Sequence, residues 1–138
     1  MSKLSIFTDG GSRGNPGPAA SGVVVKDGEE IVFETSRYLG ITTNNDAEYT
    51  AVEMAMEWLK DCPLPSLIES VQFFADSQLM VEQLNGHYKV RNENLMQKKA
   101  KIERIKRSLK YPISFYYIPR GKNFRADQLV NVCLDSQK

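Results

Sequence analysis

The spacing of apolar residues changes character near Thr42, and that change limits the folds open to this chain. Before it, three short segments read as strands: Leu4 to Thr8, Ser21 to Lys26 and Glu30 to Leu39. In the third, Ile31, Phe33 and Thr35 alternate with Val32, Glu34 and Ser36, the period of a pleated strand. Gly10 to Gly17 carries four glycines and Pro16 and reads as a loop, and Asp27-Gly28 is a two-residue hairpin signal. After Thr42 the period becomes helical. Thr42 to Asn45 is a polar helix start, and Ala47 to Leu59 sets Glu48, Val52, Ala55 and Leu59 on one stripe, closed by Pro63 and Pro65. A strand follows at Val71 to Ala75, then a short helix from Ser77 to Leu84 that stops near Gly86. Leu95, Ile102, Ile105 and Leu109 mark a longer helix, Ile113 to Ile118 a strand, and Asn123 to Leu134 a last helix.

The order is β-β-β-α-β-α-α-β-α. Hairpin spacing makes the first three strands an antiparallel meander, and returns through helices make the later two parallel additions. The expected architecture is α/β, one mixed five-stranded sheet flanked by helices. With 138 residues and no long linker, residues 1–138 are expected to form one domain.

Composition removes several functional classes. Hydrophobic residues at 41% and charged residues at 25% are ordinary for a folded domain. The net charge of +1 sets up no global field, although Lys98 to Lys110 is locally basic. Cys62 and Cys133 are too few and too far apart for a disulfide framework or a zinc site, and read as free thiols. No apolar run reaches the ~20 residues of a membrane span, and the amino terminus lacks a signal-peptide pattern. A soluble, cytoplasmic protein with no membrane association is expected.

Four acids lie at the ends of these elements: Asp9, Glu48, Asp76 and Asp127. Each has an ordinary structural role open to it. Asp9 before Gly10 is a turn former, and Glu48 three residues after Asn45 is the far half of a capping box. Asp76 is a helix N-cap, and Asp127 a first-turn acid favoured by the helix dipole. Against this, the strands ending at Asp9 and Asp76 should be parallel, and strand ends beside helix starts are where open α/β sheets place ligands. Four carboxylates gathered there would repel one another, and hard divalent cations are the natural partners of such an oxygen cluster.

The residues around these acids carry a resemblance. Thr8 to Pro18, Thr43 to Glu48, Phe74 to Gln78 and Arg125 to Leu129 resemble, in order, the four signature segments of type 1 ribonuclease H. That resemblance spans nearly the whole chain and implies a ribonuclease H-like fold. It implies a metal-dependent endoribonuclease that hydrolyses the RNA strand of RNA–DNA hybrids, using two Mg²⁺ or Mn²⁺ ions with substrate bound. It carries the family's acidic quartet, catalytic and metal-binding, onto Asp9, Glu48, Asp76 and Asp127. It places hybrid contacts at Asn44, Asn45 and Gln78 and a DNA-strand phosphate at Thr43 and Asn15, while the loop Gly10 to Gly14, with Gly10, Gly11, Ser12 and Arg13 as expected substrate contacts, offers backbone N–H groups and lets a strand approach closely. A monomer with no obligate protein partner is expected.

Two departures stand out. The loop Pro119 to Phe124 lacks the histidine that many members carry, leaving Arg120 and Lys122 as the available cations. No inserted basic protrusion is present, and the short basic, aromatic segment His87 to Asn92 is the expected DNA-strand contact, with the basic helix from Lys98 to Lys110 as a second. Alternatives within the same fold are an inactive nucleic-acid-binding domain, or a metal nuclease with another substrate.

Overall fold

The computed structural model describes residues 2–62 and 67–137. Five strands form one mixed sheet: β1 (Ser2–Ser12), β2 (Gly17–Asp27), β3 (Glu30–Thr42), β4 (Ile68–Ala75) and β5 (Ile113–Tyr117). Their order is β3-β2-β1-β4-β5. The β1–β2 and β2–β3 pairs are antiparallel, and the β1–β4 and β4–β5 pairs are parallel. The helices are α1 (Asn44–Lys60), α2 (Gln78–Leu84), α3 (Glu93–Ser108) and α4 (Phe124–Asp135), with a 3₁₀ turn at Arg120–Lys122. This is the expected α/β architecture. Pro63 and Pro65, expected to close α1, lie outside the described residues.

Strand alternation divides the interior into two layers. Leu4, Ile6, Val23, Val25, Val71, Phe73, Ile113 and Phe115 join the buried residues of α1, α2 and α3 in the larger cluster. Ala20 packs with Val130 and Leu134 of α4 in the smaller one. Each fully buried Val, Leu, Ile or Phe contributes about 1.5–3 kcal/mol relative to exposure. The larger cluster therefore anchors α1 firmly against the sheet. At the sheet margin, Phe33 of β3 stacks on Trp58 of α1 at 5.2 Å, while the neighbouring Glu34 pairs with Arg125 of α4 at 2.5 Å. Consecutive residues thus serve opposite layers, as the alternation requires. Ile31 and Val32, before them in the same edge strand, are both exposed.

Two sequence expectations shift in detail. The hairpin turn is Gly28-Glu29, with Asp27 paired to Glu30, and Gly28 takes the positive φ (63°) that the first position of such a turn demands. The loop expected over Gly10 to Gly17 is shorter, because Gly10, Gly11 and Ser12 stay in β1, opposite Ser21, Ala20 and Ala19. Glycine is needed there for space rather than for a turn. A Cβ on Gly10 would lie 2.2 Å from the backbone carbon of Ala47. The missing side chain lets the first turn of α1 sit directly on β1, where the Ser21 hydroxyl donates to the Ala47 carbonyl at 2.7 Å.

Candidate active site

Asp9 stands in the central strand, not in a turn. It faces Gly22 of β2, and on the other side Thr8 pairs with Ala75, one residue before Asp76. The parallel β1–β4 register therefore brings Asp9 and Asp76 side by side. Glu48 reaches the same point from α1. The N-cap of that helix is Thr43, whose hydroxyl accepts the Asp46 N–H at 3.1 Å, so Glu48 is not part of a capping box. It lies one turn further in, on the buried face of the helix and above Gly10. The N-cap of α2 is likewise Ser77, which leaves the Asp76 carboxylate free of that task. Asp127 does occupy the first turn of α4, as expected.

One carboxylate oxygen from each of Asp9, Glu48 and Asp76 lies within 4.8 Å of the others. Asp127 is outside that trio but close enough to Asp9 for its charge to raise the Asp9 pKa. Asp9 is 3% exposed and Glu48 6%, while Asp76 and Asp127 are half-buried. The Asp9 carboxyl is pushed up to about 8, first by burial, then by the charges of Asp76 and Asp127, with the Gly10 N–H pulling the other way. Burial also lifts Glu48 well above the usual carboxylate range, reinforced by Asp9 and Asp76, with the Gly10 N–H and Arg120 opposing. Oδ1 of Asp9 and Oε2 of Glu48 are buried with no hydrogen-bond partner. Buried polar atoms are almost always satisfied. Two orphaned carboxylate oxygens in one cluster of acids form an oxygen donor set suited to a hard divalent cation, which would compensate both the charge and the missing bonds.

A cleft of about 150 Å³ opens beside Asp9 and Asp127, walled by Gly10, Gly11, Ser12, Arg13, Asn44 and Arg120. Its rim is tied together by short bonds. The Ser12 N–H donates to Asn44 Oδ1 at 2.8 Å, the Ser12 hydroxyl to the Thr42 carbonyl at 2.9 Å, and the Asn44 N–H to Asn15 Oδ1 at 3.1 Å. Arg13 pairs with Asp135 at 2.8 Å. Of the substrate contacts expected from sequence, Gly10 to Arg13 and Asn44 therefore meet the acids. Asn15 joins them through Asn44, and Thr43 through its capping of α1. Asn45 and Gln78 are exposed at the starts of α1 and α2, outside the cleft lining.

A much larger concavity, about 620 Å³, lies elsewhere, between the His87–Val90 segment and α3, with Lys89, Lys99 and Arg107 on its walls. The chemistry follows the carboxylates and not the volume. The exposed His87 pairs with Glu82 at 3.2 Å. Sequence reasoning passed over Asn123, which read only as a helix start. Its side chain is buried and hydrogen-bonds to Asp76. No periodicity or motif marks a capping-type asparagine that turns inward.

Comparison with known proteins decides the family. The family model described as RNase H matches residues 1–133. The chain belongs to the RNase H family. It is 36% identical to the ribonuclease HI of Halobacterium salinarum over 134 residues, covering 96% of this chain and 65% of that protein. It is 35% identical to a protein of Mycobacterium tuberculosis described as bifunctional, covering 97% of this chain but 36% of that protein. The chain thus spans between about a third and two thirds of these relatives' lengths. Among solved structures, LC11-RNase H1 in complex with RNA/DNA hybrid superposes with a TM-score of 0.90 at 45% identity, covering 96% of this chain and 97% of that one. RNase H1 of Halobacterium salinarum gives 0.87 at 36% identity, covering 97% and 98%.

Proposed function

We propose that residues 1–138 act as one catalytic domain, an endoribonuclease that hydrolyses the RNA strand of RNA–DNA hybrids with two Mg²⁺ or Mn²⁺ ions. The observation that carries this reading is the convergence of Asp9, Glu48 and Asp76 within 4.8 Å, with buried, unpartnered oxygens on two of them. The RNase H likeness, and the hybrid bound by LC11-RNase H1, support the substrate. Asp9, Glu48 and Asp76, with Asp127 beside them, would hold the ions. Such ions, when bound, supply an activated water and stabilise the leaving 3′ oxygen.

The chain's own residues set up the rest. Burial and mutual repulsion keep Asp9 and Glu48 poised to give up protons for cations. Asn44, Asn45 and Gln78 carry amides able both to donate to and to accept from a ribose 2′-OH, which distinguishes RNA from DNA. Thr43 and Asn15 would hold a phosphate of the DNA strand. Gly10, Gly11, Ser12 and Arg13 allow a nucleic-acid backbone to approach closely. Arg120, near enough to lower the Glu48 pKa, supplies positive charge in the loop that lacks the histidine of many members. Lys89, Lys99 and Arg107 around the large concavity provide a second phosphate-binding face.

Labelled hybrid, incubated with Mg²⁺ or Mn²⁺, should be cut on its RNA strand, and Asp76→Asn should abolish the cut. Equal inertness of both proteins with both ions would overturn the proposal. Parallel digests of double-stranded RNA and DNA duplex separate a hybrid nuclease from one with another substrate. Binding of hybrid without cleavage would favour an inactive domain.

A further inference from the structure

Asn123 is 1% exposed and begins α4, yet its side chain makes no capping bond to that helix. Asparagine at such a position usually accepts a helix N–H. Here the amide nitrogen donates inward, to the Thr8 carbonyl at 2.8 Å and to Oδ2 of Asp76 at 3.1 Å. Its backbone carbonyl accepts the Asp127 N–H at 3.1 Å. One residue thus touches the strand that carries Asp9, the carboxylate at the end of β4, and the turn that presents Asp127. A carbonyl and an ionised carboxylate only accept, so they dictate which end of the amide faces them. The other end, Oδ1, is left buried without a partner.

The Asp76 carboxylate is half-buried and lies within 4.8 Å of ligand atoms on two other acids. Ionised together, Asp9 and Glu48 would repel it outward, toward water. Among the described residues, the Asn123 amide supplies the one hydrogen bond that opposes this. We infer that Asn123 is a positioning residue of the carboxylate cluster: it holds Asp76 against the end of β1, and so sets the Asp76–Asp9 spacing on which divalent-ion binding and the chemical step depend. This rests on the function proposed above. At 1% exposure and bonded to Asp76, Asn123 is placed to act through that carboxylate rather than on substrate.

The test compares parent, Asn123→Ala and Asn123→Asp, each checked for folding by circular dichroism. One readout needs no activity: the Mg²⁺ concentration at half-maximal thermal stabilisation of the substrate-free protein. The other is kcat and KM on a labelled hybrid. Loss of a hydrogen bond to a metal-binding carboxylate typically costs about 10–100-fold in metal affinity or activity. Asn123→Ala should raise the Mg²⁺ midpoint and lower kcat by that factor, with KM near the parent value. Asn123→Asp keeps the shape, removes the donor and adds charge, so its loss should be larger. It also decides the matter if the alanine variant does not fold. In an Asp76→Asn background, Asn123→Ala should leave the midpoint unchanged. Folded variants with the parent midpoint and kcat, or a loss confined to KM or to melting temperature, would overturn the inference. A parent that cuts no hybrid would sink the proposed function instead, and the Mg²⁺ midpoints alone would then decide the role of Asn123.

Discussion

Replacing Asp9 with asparagine should stabilise the metal-free protein, and the structure sets the size of the gain. The Asp9 carboxyl titrates at about 8 in the folded chain, against 3.8 for an unperturbed aspartate. The raised value means that the folded state binds more protons than the unfolded state between those limits. Stability is therefore lost as pH rises from about 4 to about 8. At pH 7 the folded chain must retain a proton that the unfolded chain has released, at a cost of roughly 4 kcal/mol. Asparagine carries no such penalty. Its amide, placed among acids and the Gly10 N–H, finds imperfect partners, which returns about 1–2 kcal/mol. The net expectation is a gain of about 2–3 kcal/mol at pH 7, shrinking to nothing or reversing near pH 4. Urea unfolding followed by circular dichroism in EDTA, at pH 4, 5.5 and 7, measures it. A gain absent at pH 7, or equal at pH 4 and pH 7, would show that burial and repulsion at Asp9 are not the source.

Other substitutions probe the same geometry. Gly10→Ala puts a methyl group 2.2 Å from the Ala47 backbone, so α1 must move. Denaturation should show a loss of at least about 1–3 kcal/mol, and cleavage assays a fall beyond tenfold because Glu48 moves too. Divalent ions bind only the folded cluster, so Mg²⁺ at about 100 times its Kd should add roughly 2.7 kcal/mol, seen as a rise in melting temperature. Because protons compete for Asp9, the Mg²⁺ midpoint should fall as pH rises from 6 toward 8, and a midpoint flat with pH would argue against ligation by that carboxylate. Charge reversal at Lys89 and Lys99 should weaken hybrid binding and flatten its salt dependence, read by anisotropy at several salt concentrations, with little change in kcat.

The order of elements was legible because a period of two gives way to a helical period near Thr42, and each period has one natural way to bury its apolar face. The four acids were legible from the pattern of elements, although Asp9 lies within β1 rather than at its end. What a linear reading handles poorly is the Gly-rich stretch after Asp9. Glycine signals a turn locally, but Gly10 and Gly11 continue β1, because pairing with β2 and the close approach of α1 outweigh that preference. The same competition relocated the caps. Asn45 looked like the first residue of a capping box with Glu48, whereas Thr43 caps α1 and releases Glu48 to the interior. Asn123 was invisible for a related reason: whether an asparagine at a helix start caps the helix or turns inward depends on a carbonyl and a carboxylate far away in sequence.

The placement of Asp9 also discriminates between a nuclease and a domain that only binds. In the central strand, with β2 and β4 on either side, it has the least access to water of the four acids, and desolvation is the largest contribution to its raised pKa. A fold selected for packing alone would gain about 2–3 kcal/mol at pH 7 from an amide at that position. Residues that oppose stability in this way persist where activity requires them, the usual trade between a strained site and its scaffold. Asp127 adds to the same strain from α4, a helix that could serve the smaller core through Val130 and Leu134 alone. Unfavourable charge supplied from β1, the end of β4, α1 and α4, and concentrated where two buried oxygens lack partners, is what the divalent-cation site proposed above would require, and it answers no structural need of the sheet.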